Sequence, residues 1–141
     1  MAYQLQHHPL VYTAQEVAAS EHIPGRIVAK VVMAFADEGM VMLVLPATSR
    51  VDLAKAAAVV GAAAVRLAHE NEFAATFPDT DVGATPPFGN RYGVPVYVDR
   101  RLAEDETIVF RAGTHTDTIA MRYADFERLV QPAVGDFGNR G

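Results

Sequence analysis

The chain has 141 residues, half of them hydrophobic and 21% charged, which suffices for one domain with a packed core. A net charge of −5 excludes a broad basic surface for nucleic acid, so any RNA contact needs a local patch. Cysteine is absent, which excludes disulfides, thiolate catalysis and zinc–thiolate sites. No apolar stretch reaches membrane-spanning length and no signal peptide is visible, so we expect a cytoplasmic protein with neither a membrane nor a DNA partner.

Capping and turn residues predict helices and strands in a mixed order. Thr13-Ala14-Gln15-Glu16 has the pattern of a capping box, and Asp37-Glu38-Gly39 is typical of a hairpin turn. Helices are predicted at about 14–22, from 49–52 to Gly61, near 70–76 and at 124–130, and strands at about 27–36, 40–46, 65–67, 94–98, 107–110 and 118–121.

This order of elements has no strict β-α-β alternation. It predicts an α+β fold in a single domain, with a curved, mixed, mainly antiparallel sheet around a cleft and helices flanking it. We expect residues 1–131 to form this domain. The glycine-rich residues 132–141 are expected to form a flexible C-terminal tail.

Lys30, one of only two lysines, lies inside a run of residues that otherwise has the composition of a buried strand. Side chains alternate along a strand, so Lys30 shares a face with Val28 and Val32. An amine between valines loses hydration unless an anion meets it. Two interpretations follow: a site that receives a negatively charged substrate, or an edge-strand lysine that prevents aggregation.

Two loops contain further candidate residues. In the segment 82–89, glycines allow close approach to a ligand and prolines stiffen the backbone, while Phe88 either contacts a ligand or fills the core. The segment 111–118 contains His115 and Asp117, which suit acid–base chemistry or a turn satisfied by its own hydroxyls. The pair His7-His8 lacks a third ligand at metal-binding spacing, so no metal site is predicted.

These segments, in this order, resemble the YbaK/prolyl-tRNA-editing family of aminoacyl-tRNA deacylases. The resemblance runs from about His8 to Leu129 and includes YTAQEVA, VAKVV, LPATSRVDLAKAA, GATPPFG and FRAGTHTDTI. It implies a barrel-like sheet, a free-standing protein that acts in trans on the acceptor end of mischarged aminoacyl-tRNA, and no metal or cofactor. An aminoacyl-tRNA synthetase is a further partner that it suggests.

The resemblance also implies roles for individual residues. Lys30 falls on the lysine that the family requires for deacylation, where it would pair with the terminal phosphate or orient the ester carbonyl. The loop that lines the aminoacyl pocket and the turn that faces it supply the expected substrate-binding residues, which are Gly83, Pro87, Phe88, Gly89, Gly113, His115 and Thr118. For contacts with tRNA phosphates, the candidates are Arg50, Arg91 and Arg122.

Departures from the cysteinyl branch of the family indicate the specificity. That branch often has a hydroxyl residue after the lysine and a serine and an aspartate around the glycine turn, whereas this chain has Val31, Arg111 and Thr118. We therefore expect a small aminoacyl group, alanine favoured, on tRNA-Pro or a similar tRNA. Two alternatives stay open: a non-catalytic module that binds aminoacyl-tRNA or a synthetase, and a small-molecule hydrolase on the same scaffold.

Overall fold

The computed structural model describes residues 3–7, 27–73, 76, 85–111 and 117–140. Its strands are β1 (Tyr3–His7), β2 (Ala29–Ala36), β3 (Gly39–Pro46), β4 (Ser49–Val51), β5 (Val65–Leu67), β6 (Val96–Asp99), β7 (Thr107–Arg111), β8 (Asp117–Arg122), β9 (Ala133–Gly135) and β10 (Gly138–Arg140). Its helices are α1 (Leu53–Val60), α2 (Glu70–Phe73), α3 (Arg100–Ala103) and α4 (Tyr123–Val130), with a 3₁₀ turn at Gly89–Tyr92. The helix predicted at 14–22 lies outside the described residues.

The strands form three sheets. The largest has the order β5-β2-β3-β6-β9, antiparallel except for the parallel pairs β3–β6 and β6–β9. Antiparallel sheets β1-β8-β7 and β10-β4 complete the set, and a single bridge between Val28 and Val109 connects β2 to β7. The described strands do not close into a barrel. The predicted α+β class, with a mixed sheet in one domain, is confirmed.

The β2–β3 hairpin is held in register at its turn. Ala36 pairs with Gly39 across a two-residue turn, in which Asp37 adopts a φ of 55°. The Asp37 carboxyl accepts hydrogen bonds from the backbone N–H groups of Ala63 and Ala64, and its own N–H donates to Ala64 at 2.9 Å. The turn is therefore tied to the chain that enters β5.

Alternating side chains of β2 face two different cores. Met33 belongs to a core of sulfur-containing, aromatic and aliphatic residues that also includes Phe110 and Phe126, here called the aromatic core. Ala34 belongs to a second core, built against α1 with Leu45 and others, here called the helix-side core. Odd-numbered residues of β2 thus face the aromatic core, and even-numbered residues face the opposite side of the sheet.

Helix α1 begins and ends where its capping residues predict. The Asp52 carboxyl accepts the N–H of Lys55 at 3.0 Å, and Gly61 ends the helix in the left-handed region with a φ of 79°. In the described part of the chain, no helix is long and apolar enough to span a membrane.

The C-terminal segment differs from the loose tail that its glycines suggest. Strand β9 pairs with β6 and β10 pairs with β4, and the Phe137 side chain between them is fully buried. The glycines allow close approach here: a Cβ on Gly135 would lie 2.5 Å from a methyl group of Val59. Below Phe137, the fully buried Asp99 carboxyl accepts the backbone N–H groups of Phe137 and Gly138 at 3.2 and 2.7 Å.

Candidate functional site

Lys30 lies on the even-numbered face of β2, between Val28 and Val32 and opposite the fully buried Leu45 of β3. The side chain is half-buried. Burial, and secondarily repulsion from the Arg50 guanidinium, lowers the pKa of Lys30 below its ordinary value. Folding therefore disfavours the ammonium form, and a bound anion would restore it.

A second cation is carried to the same face by the neighbouring strand. The bridge between Val28 and Val109 sets β2 and β7 side by side and parallel. Lys30 lies two residues beyond Val28, and Arg111 lies two residues beyond Val109. Because side chains alternate, Lys30 and Arg111 project from the same face of the adjoining strands. Only 6% of the Arg111 surface is exposed.

Thr118 completes this group from β8. It is the cross-strand partner of Arg111 and is fully buried. Directly opposed residues of an antiparallel pair share a face, so its hydroxyl belongs to the side of the sheet that carries Lys30. We call Lys30, Arg50, Arg111 and Thr118 the cationic cluster. Three positive groups and a hydroxyl are suited to bind a phosphate or a carboxylate.

The described part of the glycine–proline loop packs on the other face of the sheet. The Phe88 ring lies edge-on to Phe110, with centroids 5.4 Å apart, and 5.9 Å from the ring of Phe126. Pro87 is buried, and a Cβ on Gly89 would lie 3.2 Å from the sulfur of Met42. Of the two interpretations of Phe88, the structure shows a ring that packs against the aromatic core.

A small cavity opens beside this loop. Its volume is about 50 Å³, and it is lined by Val31, Met33, Phe73 and Thr85. Since about 10–15 Å³ of such volume holds one water, the cavity accepts a group of a few heavy atoms. Alternation along β2 could have indicated Val31 and Met33 from the sequence. Thr85 lies in the segment 82–89 that the sequence already indicates, whereas nothing in the sequence indicates Phe73.

The remaining predicted site residues divide into two sets. Gly83, Gly113 and His115 lie outside the described residues. Arg91 and Arg122 are exposed, in the 3₁₀ turn and at the end of β8. Across the ranges that the structure describes, no three histidine, aspartate or glutamate side chains converge in a way that could hold a metal ion.

Comparison with known proteins assigns the chain to a family. The sequence model of the aminoacyl-tRNA editing domain matches residues 8–129. The chain therefore belongs to the aminoacyl-tRNA editing domain family, and the resemblance carried by its motifs is confirmed. No curated protein matches the chain significantly.

Solved structures share the fold at low sequence identity. The hypothetical protein APE2540 superposes with a TM-score of 0.88 at 20% identity, covering 99% of this chain and 93% of its own. A protein proposed to be a trans-editing enzyme for prolyl tRNA synthetase gives 0.85 at 22% identity, with coverage of 97% and 87%. A protein from Marinobacter aquaeolei VT8, proposed to act in signal transduction, gives 0.74 at 20% identity, with 96% of this chain matching 27% of that one.

Proposed function

We propose that this protein is a trans-acting deacylase that hydrolyses the ester between a small amino acid, alanine favoured, and a mischarged tRNA such as tRNA-Pro. The observation that carries the proposal is the half-buried Lys30 amine, whose pKa is lowered by burial and by Arg50, on the face that also carries Arg111. Family membership supports the reaction class. The likeness to a protein proposed to edit for prolyl tRNA synthetase supports tRNA-Pro as the tRNA.

The cationic cluster would hold the acceptor end of the tRNA. A terminal phosphodiester is an anion that meets the partly desolvated amine of Lys30 and the guanidinium of Arg50 or Arg111. Binding it would raise the pKa of Lys30 back toward its ordinary value, because an opposite charge favours the ammonium form. The substrate's own phosphate would thus stabilise the site that binds it.

Positioning and electrostatics supply the chemistry. An aminoacyl ester is already activated, so a positioned water and donors near the carbonyl oxygen suffice for hydrolysis. The chain has no cysteine, and the cationic cluster contains no serine, which argues against a covalent intermediate on either residue. The Thr118 hydroxyl and the free ribose hydroxyl of the substrate are the groups that would orient the water.

The cavity beside Val31 supports the choice of a small side chain. It holds a few heavy atoms and is lined by three apolar residues and one threonine. Larger side chains would be rejected by clash. Smaller ones would be rejected weakly, since one methylene changes binding by about 1–3 kcal/mol. Glycyl esters, which are smaller, and seryl esters, whose single added hydroxyl still fits a cavity of about 50 Å³, are therefore expected as secondary substrates.

Replacement of Lys30 tests the proposed reaction. Lys30→Met keeps most of the length of the side chain and removes the charge. Deacylation of alanyl-tRNA should therefore fall by about a hundredfold or more, the usual effect of losing one positioned electrostatic group. Lys55→Met is the matched control, because Lys55 is the only other lysine and lies on the surface near Asn139. Both variants should melt close to the wild type.

Each result has a defined meaning. Near-wild-type turnover in Lys30→Met would refute the role of the amine. Deacylation rates on alanyl-, seryl-, cysteinyl- and prolyl-tRNA, compared at equal concentration, test the specificity. If the cysteinyl ester is cleaved fastest, the proposed preference for alanine is wrong. If the wild-type protein binds these tRNAs and cleaves none, the non-catalytic alternative replaces the enzyme.

Salt dependence provides an independent test of tRNA binding. With a net charge of −5, contacts to phosphate should be few and local. The slope of log K against log salt should correspond to about three phosphates or fewer, at roughly 0.7–0.9 per phosphate. A steep slope would contradict a site made of a few cations.

A further inference from the structure

In the described part of the chain, the edge of β2 that faces away from β3 carries two strands, with an interruption between them. Just before β2 begins, Val28 bridges Val109 of β7. Toward its end, Ala34 pairs with Leu67 of β5, and the Ala68 N–H donates to the Met33 carbonyl at 2.9 Å. Val31 lies between these two attachments.

The backbone of Val31 points into this interruption. Along an antiparallel strand, successive residues direct their N–H and C=O groups to opposite sides. The Val28 carbonyl accepts the N–H of Ala47 and so points toward β3, whereas the Met33 carbonyl points outward to Ala68. Val31 lies two residues before Met33, so its N–H and C=O also point outward, away from β3. Among the residues that the structure describes, no backbone partner of Val31 is present on this edge.

We propose that this edge binds the aminoacyl group of the substrate as if it were one residue of an additional antiparallel strand. The Val31 carbonyl accepts a hydrogen bond from the substrate's α-ammonium group, and the Val31 N–H donates to the ester carbonyl oxygen. An α-amino ester carries its donor and acceptor in the same relation as a strand residue, so one residue on a free sheet edge satisfies both. The proposal rests on the proposed deacylase function.

This pairing also fixes the direction of the substrate side chain. Directly opposed residues of an antiparallel pair point to the same face. Val31 faces the cavity that it lines with Met33, Phe73 and Thr85. The side chain of an L-amino acid would therefore enter that cavity, whereas a D-amino acid would project toward the Lys30 face. The edge thus selects for both size and chirality.

During hydrolysis, water adds to the ester carbonyl carbon, the bond from that carbon to the ribose oxygen breaks, and a proton passes to the ribose oxygen. The Val31 N–H would donate to the carbonyl oxygen while that oxygen is negatively charged. Donors placed at this position typically accelerate acyl transfer by about 10²–10³-fold. Val31 would act through its backbone, and Lys30, its neighbour on the opposite face, through its charge.

Val31→Pro removes the outward N–H and leaves the β2–β3 hydrogen bonds in place, because proline is tolerated where a strand N–H faces away from its partner. Val31→Ala retains the N–H and enlarges the cavity, so comparing the two variants separates the loss of the backbone donor from a change in cavity volume. We expect kcat/KM on L-alanyl-tRNA to fall about a hundredfold or more in Val31→Pro. Val31→Ala should lose much less of kcat/KM on L-alanyl-tRNA than Val31→Pro does, and it should accept 2-aminobutyryl-tRNA better than wild type, since two methyl groups are removed from the cavity wall.

Two further measurements use the wild-type protein and do not depend on the proline variant folding. D-alanyl-tRNA should be cleaved far more slowly than L-alanyl-tRNA. Adding 3′-(L-alanyl)amino-3′-deoxyadenosine, which cannot be hydrolysed as an ester, should shift the Val31 amide resonance and slow its hydrogen exchange. This binding measurement decides the inference even if no hydrolysis is observed.

Failure of the two proposals can be told apart. If L-alanyl-tRNA is cleaved but the D-epimer is cleaved as fast, or the Val31 amide is unaffected by the analogue, the edge proposal is overturned and the deacylase stands. If no aminoacyl-tRNA is cleaved while the Val31 amide responds to the analogue, the deacylase fails and the binding edge stands.

Discussion

Substitution of Asp99 tests how firmly the C-terminal segment belongs to the domain. One oxygen of this fully buried carboxyl accepts the N–H of Arg101 at 3.0 Å, and the other accepts those of Phe137 and Gly138. In Asp99→Asn, an NH₂ group replaces one of these two oxygens, so only one of the two acceptor positions is kept. The amide NH₂ must then face a backbone N–H and leave it unpaired.

The magnitude follows from the lost hydrogen bonds. A hydrogen bond to a charged group contributes about 1.5–3 kcal/mol and a buried unpaired donor costs about 1–3 kcal/mol, so Asp99→Asn should lower the free energy of unfolding by about 2–4 kcal/mol. Asp136→Asn is the control. Asp136 is 40% exposed and lies 4.0 and 3.8 Å from Lys55 and Arg100, contacts that contribute less than about 1 kcal/mol.

Urea denaturation of wild type, Asp99→Asn and Asp136→Asn gives the free energy of unfolding of each protein and its slope with urea concentration. A single transition with an unchanged slope in Asp99→Asn would show that the C-terminal strands unfold with the rest of the domain. If Asp99→Asn remains within about 0.5 kcal/mol of wild type, or equals its control, the reasoning from these three hydrogen bonds is wrong.

Three further predictions concern single side chains. Burial, with a smaller effect of Glu127, raises the pKa of Tyr123 to about 12. This pKa exceeds the value of about 10 in the unfolded chain, so the stability that Tyr123 contributes is complete below pH 10 and is lost as pH rises through 12. Ultraviolet titration should show one tyrosine that ionises at higher pH than the others, and Tyr123→Phe should remove it. Hydrogen bonds from Arg66 hold the pKa of Glu72 at about 2. Glu72 therefore contributes stability that is complete above its ordinary pKa of 4.5 and is lost as pH falls through 2. In Arg66→Gln, an NMR titration should give Glu72 a pKa nearer 4.5, and an unchanged pKa would contradict the pairing. Gly135→Ala should cost about 1–3 kcal/mol by overpacking against Val59, and Val59→Ala in the same chain should recover much of it, as a double-mutant cycle will show.

Local signals explain which parts of the fold could be predicted. The β2–β3 hairpin and helix α1 were predicted because Asp37, Asp52 and Gly61 act on their immediate neighbours. The C-terminal strands could not be predicted in this way. Their glycine-rich sequence predicts a flexible segment. In the structure, Gly135 and Gly138 instead allow close approach to Val59 and Asp99, which are far away in sequence.

The candidate site shows the same division. Lys30 was found because an amine in an apolar strand is anomalous within its own segment. That Arg111 shares its face depends on the bridge between Val28 and Val109, a long-range contact without a local signature. The packing of Phe88 likewise depends on rings from β7 and α4, which are distant in sequence, so the sequence alone is compatible with two interpretations.

Lys30 and Val31 are proposed to act from opposite faces of β2, so the number of residues in β2 is constrained by function. A one-residue insertion or deletion between Val28 and Asp37 would exchange the two faces, turning the amine into the aromatic core and a valine toward Arg111. The paired turn at Asp37 would prevent the strand from absorbing such a change by sliding. Substitutions along β2 can therefore be graded in effect, whereas a change in the number of its residues is expected to abolish folding and activity together.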